Sequence, residues 1–104
     1  MPTLGSSLGL SRVRPAAPGL LDDFSGAKAA YSLRALSRAW LAGDVVEVRR
    51  SSDGTLQDFT ASQITNGDLV AFTGAGDGFV ATWYDQSGQA NNATQGVTTA
   101  QPKI

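Results

Sequence analysis

The most constraining feature of the sequence is short: Ser51-Ser52-Asp53-Gly54, set between two stretches that alternate with period two. Before it, Val46 and Val48 fall on one side of an extended strand, and Val45, Glu47 and Arg49 on the other. After it, Leu56, Asp58 and Thr60 continue as a return strand. Asp-Gly accommodates the positive φ that a tight hairpin turn requires. The segment Val45 to Phe59 therefore reads as a β-hairpin.

A second strand signal runs from Phe79 to Tyr84, where Phe, Val, Ala, Thr, Trp and Tyr all favour extended backbone. Asp85-Gln86-Ser87-Gly88 turns the chain, and Ala90 to Thr94 reads as a further strand. Between the hairpin and the Phe79 strand, Asn66 to Gly74 reads as a short helix capped by Asn66 or Asp68. Gly74-Ala75-Gly76-Asp77-Gly78 is a loop. Upstream of the hairpin, Ala29, Tyr31 and Leu33 alternate as in a strand. Leu33, Leu36 and Trp40 then share a helical face opposite Arg34 and Arg38, with Gly43 as the stop. The expectation is a strand over Ala29–Leu33 and a two-turn helix from Arg34 to Leu41. Val97 to Ile104 trails through Pro102 and ends on an apolar residue, as if a longer fold continued or the last strand paired elsewhere.

Residues 1–25 differ from the rest. Met1 to Leu10 is rich in Gly, Ser and Leu, and Pro15 and Pro18 hold the following stretch extended. Two readings stand: an N-terminal docking arm whose Leu4, Leu8, Leu10 and Val13 enter a groove on a neighbour, or a disordered chain end. The four aliphatic side chains are the reason to carry the first forward. Residues 26–104 form a small β-rich body.

The residue inventory narrows the chemistry. There is no Cys and no His in 104 residues, which removes Cys/His zinc sites, thiol nucleophiles, disulfides and Ser-His-Asp triads. Eight basic residues against nine acidic ones give a net charge of −1, not the basic face of a nucleic-acid binder. No run of about 18 apolar residues exists to span a bilayer, and no secretory leader pattern opens the chain. A single Glu is a poor basis for a paired-carboxylate glycosidase, the one enzyme class the inventory permits. No cofactor is expected, and no metal: Asp77 and Asp85 lack calcium-loop spacing. Asp77 is read as shaping its glycine-rich turn, and Asp85 or Asp58 as pairing with Arg49 or Arg50. Those two arginines point to opposite sides of a strand and so do not form one patch. The loop Gly74–Gly78 leads into a strand, not a helix, so it does not present a phosphate site. Asn92-Ala93-Thr94 fits a glycosylation sequon and is read as coincidental. An aromatic platform of Trp83 and Tyr84, flanked by Asp85 and Gln86, is a candidate sugar-binding surface, with Trp40 a further aromatic.

Five segments occur in a recognisable order: Ala30-Tyr-Ser-Leu-Arg34, Val48-Arg-Arg-Ser-Ser-Asp-Gly54, Phe79-Val-Ala-Thr-Trp-Tyr-Asp-Gln-Ser-Gly88, Asn91-Asn-Ala-Thr-Gln95 and Gln101-Pro-Lys-Ile104. Over about Ala29 to Ile104 they resemble the opening portion of the concanavalin A-like β-sandwich of phage and prophage virion proteins. That pattern is similar to the N-terminal part of the arabinofuranosidase B catalytic domain. The resemblance implies a mainly β fold, a partial jelly-roll sandwich with two short helices. The arabinofuranosidase carboxylates belong to a continuation beyond Ile104, so the resemblance carries no catalytic residue onto this chain.

The expectation is a non-enzymatic structural protein of a bacteriophage virion, in a tail or fibre. Its partners would be other virion proteins and further copies of itself, with a host surface glycan as a further ligand. The alternatives are a carbohydrate-binding receptor-recognition module, a capsid decoration protein and a truncated glycosidase-like domain.

Overall fold

The computed structural model describes residues 19–104. The hairpin forms as expected: β1 (Asp44–Arg50) and β2 (Leu56–Thr60) pair antiparallel. Gly54 takes φ 77° in the turn, a conformation that favours glycine. The Asp53 carboxylate secures it, accepting from both Arg50 Nε and Nη2 at 2.8 Å and from the Thr55 N–H at 3.0 Å. This forked geometry is the strong form of an Arg–carboxylate contact.

On its other side β1 pairs antiparallel with β3 (Gly78–Trp83), which in turn pairs with β4 (Ala93–Thr94). The sheet order is β2-β1-β3-β4. The last residues complete the outer side of β3. The Val80 N–H donates to Pro102 O at 2.8 Å, and the Ile104 N–H to Gly78 O at 3.0 Å.

Two short helices, α2 (Ala61–Thr65) and α3 (Asp68–Thr73), follow β2; α1 (Leu20–Asp23) precedes the sheet. Thr60 ends β2 and caps α2, its hydroxyl accepting from the Gln63 N–H while Gln63 Oε1 accepts from the Thr60 N–H. Asn66 Oδ1 accepts from the Asp68 N–H at the start of α3. The core is the cluster Val45, Val46, Val48, Phe59, Leu69 and Val80, with Ile64, Phe72 and Trp83 packed against it. Phe59 meets Phe72 edge to face at 5.3 Å, the arrangement aromatic quadrupoles favour.

Four details depart from the sequence expectations. One open sheet with short helices makes this a small mixed α/β domain, and no second sheet stands among the described residues. Val45 is fully buried instead of facing outward with Glu47. A bulge places Asp44 opposite Thr60 and Val46 opposite Phe59, leaving Val45 as the extra residue turned into the core. The strand expected over Ala29–Leu33 and the helix over Arg34–Leu41 are replaced by irregular chain with one 3-10 turn, Arg38–Trp40. Finally, the strand expected over Ala90–Thr94 shortens to Ala93–Thr94.

Candidate functional site

The side chains at the end of β3 account for the irregular segment. Asp85 and Gln86 are 2% and 3% exposed. Gln86 Oε1 accepts from the Leu36 N–H at 2.7 Å, and its Nε2 donates to Arg34 O at 2.8 Å and Ser32 O at 3.3 Å. The Gln86 N–H donates to Ala30 O at 2.8 Å. A helix over Arg34–Leu41 would need the Arg34 carbonyl for its own ladder. Gln86 already occupies it, so residues 28–36 become a strap bound to the sheet.

Asp85 holds the same strap from the other side. Its Oδ1 accepts from the N–H groups of Ala30 at 2.7 Å and Ser87 at 2.9 Å; its Oδ2 accepts from the Asn91 N–H at 2.9 Å and the Ser87 hydroxyl at 2.8 Å. Burial pushes this carboxyl up, but the converging donors outweigh it and bring the pKa down to about 2. The expected pairing of Asp85 with an arginine is therefore corrected: backbone amides take the place of a guanidinium. Arg50 instead pairs with Asp53, and Arg49 Nε donates to Gln101 Oε1 at 2.7 Å while its guanidinium lies over Phe79 at 5.0 Å. The two arginines do face opposite sides, since Arg50 lies over Phe72.

The four residues read as a ligand platform are adjacent in the chain but spend their polar atoms differently. Trp83 is half-buried against the core, and its Nε1 is buried without a hydrogen-bond partner among the described residues. The Tyr84 hydroxyl donates to Asp58 Oδ1 at 2.6 Å. Burial, that hydrogen bond and the neighbouring Asp58, Glu47 and Asp44 charges all raise its pKa. Asp85 and Gln86 face inward. Trp40 lies elsewhere, in an open cleft of about 310 Å³ shared with Leu21, Phe24 and Ser87. Asp77 accepts the Ser51 N–H on its carbonyl at 2.9 Å, and its carboxylate lies 3.2 Å from Lys103 Nζ. Leu4, Leu8, Leu10 and Val13 lie outside the described residues.

Helices α2 and α3 pack Ala61, Ile64, Leu69 and Phe72 against the face of the sheet that carries Val46, Val48 and Phe59. The other face carries Glu47, Arg49, Leu56, Asp58, Phe79 and Thr82, as the strand register dictates. Glu47 stands directly opposite Asp58, a like-charge placement that costs stability. The Thr82 and Tyr84 hydroxyls donate to these two carboxylates at 3.0 and 2.6 Å. Asp44 joins the group, its pKa raised by burial and then by Asp58. Sequence inspection separates these three acids by up to fourteen residues; only the register brings them together.

Among the described residues, no cluster of three or more Asp and Glu side chains is arranged to hold a metal ion, and no helix is long and apolar enough to cross a membrane. Compared with protein-family models, curated proteins and solved structures, the chain matches none.

Proposed function

We propose that this chain is a non-enzymatic structural component of a bacteriophage virion, in a tail or fibre, docking onto a larger assembly through its N-terminal arm. The observation that carries the reading is the use made of the Tyr84-Asp85-Gln86-Ser87-Gly88 stretch. The polar groups of Asp85 and Gln86 are buried and bonded to this chain's own strap. A motif spent in this way builds a scaffold and leaves no acid or amide directed at a substrate. The single open sheet is consistent with one layer of a concanavalin A-like sandwich. A neighbouring protein would then supply a second layer that the described residues do not form. Exposed apolar side chains favour the same view: Leu20, Phe24, Leu41 and Val97 are each at least half exposed. Each gains about 1.5–3 kcal/mol if fully buried by a partner, and repeated copies multiply that gain through avidity.

Deleting residues 1–14 tests the reading. The truncated protein should retain the circular dichroism of the body yet fail to co-sediment with virions assembled in its presence. Assembly that survives the deletion refutes the docking role of the arm.

A further inference from the structure

Strand β2 forms one margin of the sheet, and its outward backbone groups follow from the hydrogen bonds. The Arg50 N–H donates to Thr55 O at 2.9 Å. Antiparallel pairs alternate between bonded and non-bonded, and the register continues as Arg49 with Leu56, Val48 with Gln57, Glu47 with Asp58 and Val46 with Phe59. Gln57 and Phe59 therefore bond inward to β1. Leu56 and Asp58 turn both N–H and C=O outward, and no strand among the described residues takes them up. Beside this margin lie Asp44, Glu47 and Asp58, none with an ion-pair partner among the described residues. Arg49 is turned away toward Gln101 and Phe79, and Leu56 is 50% exposed.

The sequence contains a segment with the complementary pattern. In Leu10-Ser11-Arg12-Val13-Arg14, an extended backbone places Leu10, Arg12 and Arg14 on one side and Val13 on the other. Laid parallel to β2 with Leu10 beside Leu56, Arg12 falls beside Asp58. Arg14 falls at Thr60, which is opposite Asp44. Pro15 then ends the pairing, because it has no N–H to donate. The antiparallel alternative puts Arg14 beside Leu56 and Leu10 at the acidic end, which loses the match.

We infer that the open margin of β2 receives residues 10–14 of a second copy of this chain as an added strand. This rests on the docking role of the arm proposed above and names its receptor. Backbone hydrogen bonds supply affinity, while the arginine spacing and Leu10 supply register. Because arm and receptor are different surfaces, the contact is head-to-tail and extends into rings or filaments.

Engineered cysteines test this directly, since the chain has none of its own. Full-length Leu10→Cys and Leu56→Cys proteins are mixed and oxidised, with Leu10→Cys plus Val70→Cys as the control, because Val70 is 68% exposed on α3. Facing residues on paired strands fall within disulfide reach. The expected result is a covalent dimer forming at least about tenfold faster than the control. Reversing both arginines, Arg12→Glu with Arg14→Glu, should slow it by about tenfold. Raising salt from about 0.01 M to about 1 M, where screening acts over only ~3 Å, should also slow it. Equal rates for pair and control overturn the inference. So does a Leu10→Cys/Leu56→Cys double variant that closes within one chain and yields only monomer. If the 1–14 deletion blocks assembly but the crosslink fails, the arm docks on another protein and only this inference falls. If the crosslink forms but the deletion is harmless, the pairing stands and the docking role falls.

Discussion

Replacing Gln86 by Leu removes the amide while keeping its approximate volume. Three hydrogen bonds disappear, at 2.7, 2.8 and 3.3 Å, to Leu36, Arg34 and Ser32. A neutral hydrogen bond contributes about 0.5–1.5 kcal/mol net, and the longest of the three contributes least. The sum is about 2–3 kcal/mol. Other hydrogen bonds that hold the strap, from Asp85, Ser87, Asn91 and the Gln86 N–H, meet Lys28 and Ala30, so the loss should appear as local opening around residues 32–36 and not as global unfolding. Amide exchange at Leu36 should accelerate by about 30- to 150-fold, while Val46 and Val48 in β1 keep their protection. Trypsin should cut after Arg34 and Arg38 well before it attacks the hairpin. Gln86→Glu should loosen the strap at least as much: it keeps the acceptor for the Leu36 N–H but turns a buried, charged oxygen toward the Arg34 and Ser32 carbonyls. If exchange at Leu36 in Gln86→Leu equals that of the parent protein, the strap is not held by this side chain, and the explanation for the missing helix fails with it.

Asp85 gives the strap a pH dependence. Its carboxyl is held at about 2, below its ordinary value of 3.8. A lowered folded-state pKa means stability that is fully present above about pH 4 and lost as the pH falls toward 2. Exchange at Ala30 and Asn91 should therefore rise across that window, and Asp85→Asn should remove the dependence while loosening both sites at neutral pH. Phe59→Ala empties the centre of the core and should cost about 3–5 kcal/mol, read as a lower denaturant midpoint with an unchanged slope. Gly78→Ala would bring a Cβ to 3.0 Å from Val48 Cγ1, Thr73 Cγ2 and Ile104 Cγ2. It should cost about 1–3 kcal/mol by overpacking, seen as a lower melting temperature, whereas Gly96→Ala, with nothing within 4 Å, should be neutral.

Local chemistry alone was enough for the elements whose stability is local. Asp53-Gly54 and the flanking alternation determine the hairpin. Phe79 to Tyr84 specifies a strand by propensity, and Asn66 bonds the Asp68 N–H at the start of α3, although the cap position itself is Gly67 and not Asn66 or Asp68. In each case the deciding groups lie within a few residues of one another. The tertiary structure decided everything that depends on distant partners. Leu33, Leu36 and Trp40 have helical spacing, yet the backbone of their segment is claimed by Asp85 and Gln86, some fifty residues away. Val45 changes sides because a bulge, set by the pairing of Asp44 with Thr60, inserts it into the core. Asp44, Glu47 and Asp58 become neighbours only through strand register. Periodicity records which face a residue would take if its element formed; whether the element forms depends on which donors and acceptors the rest of the chain brings to it.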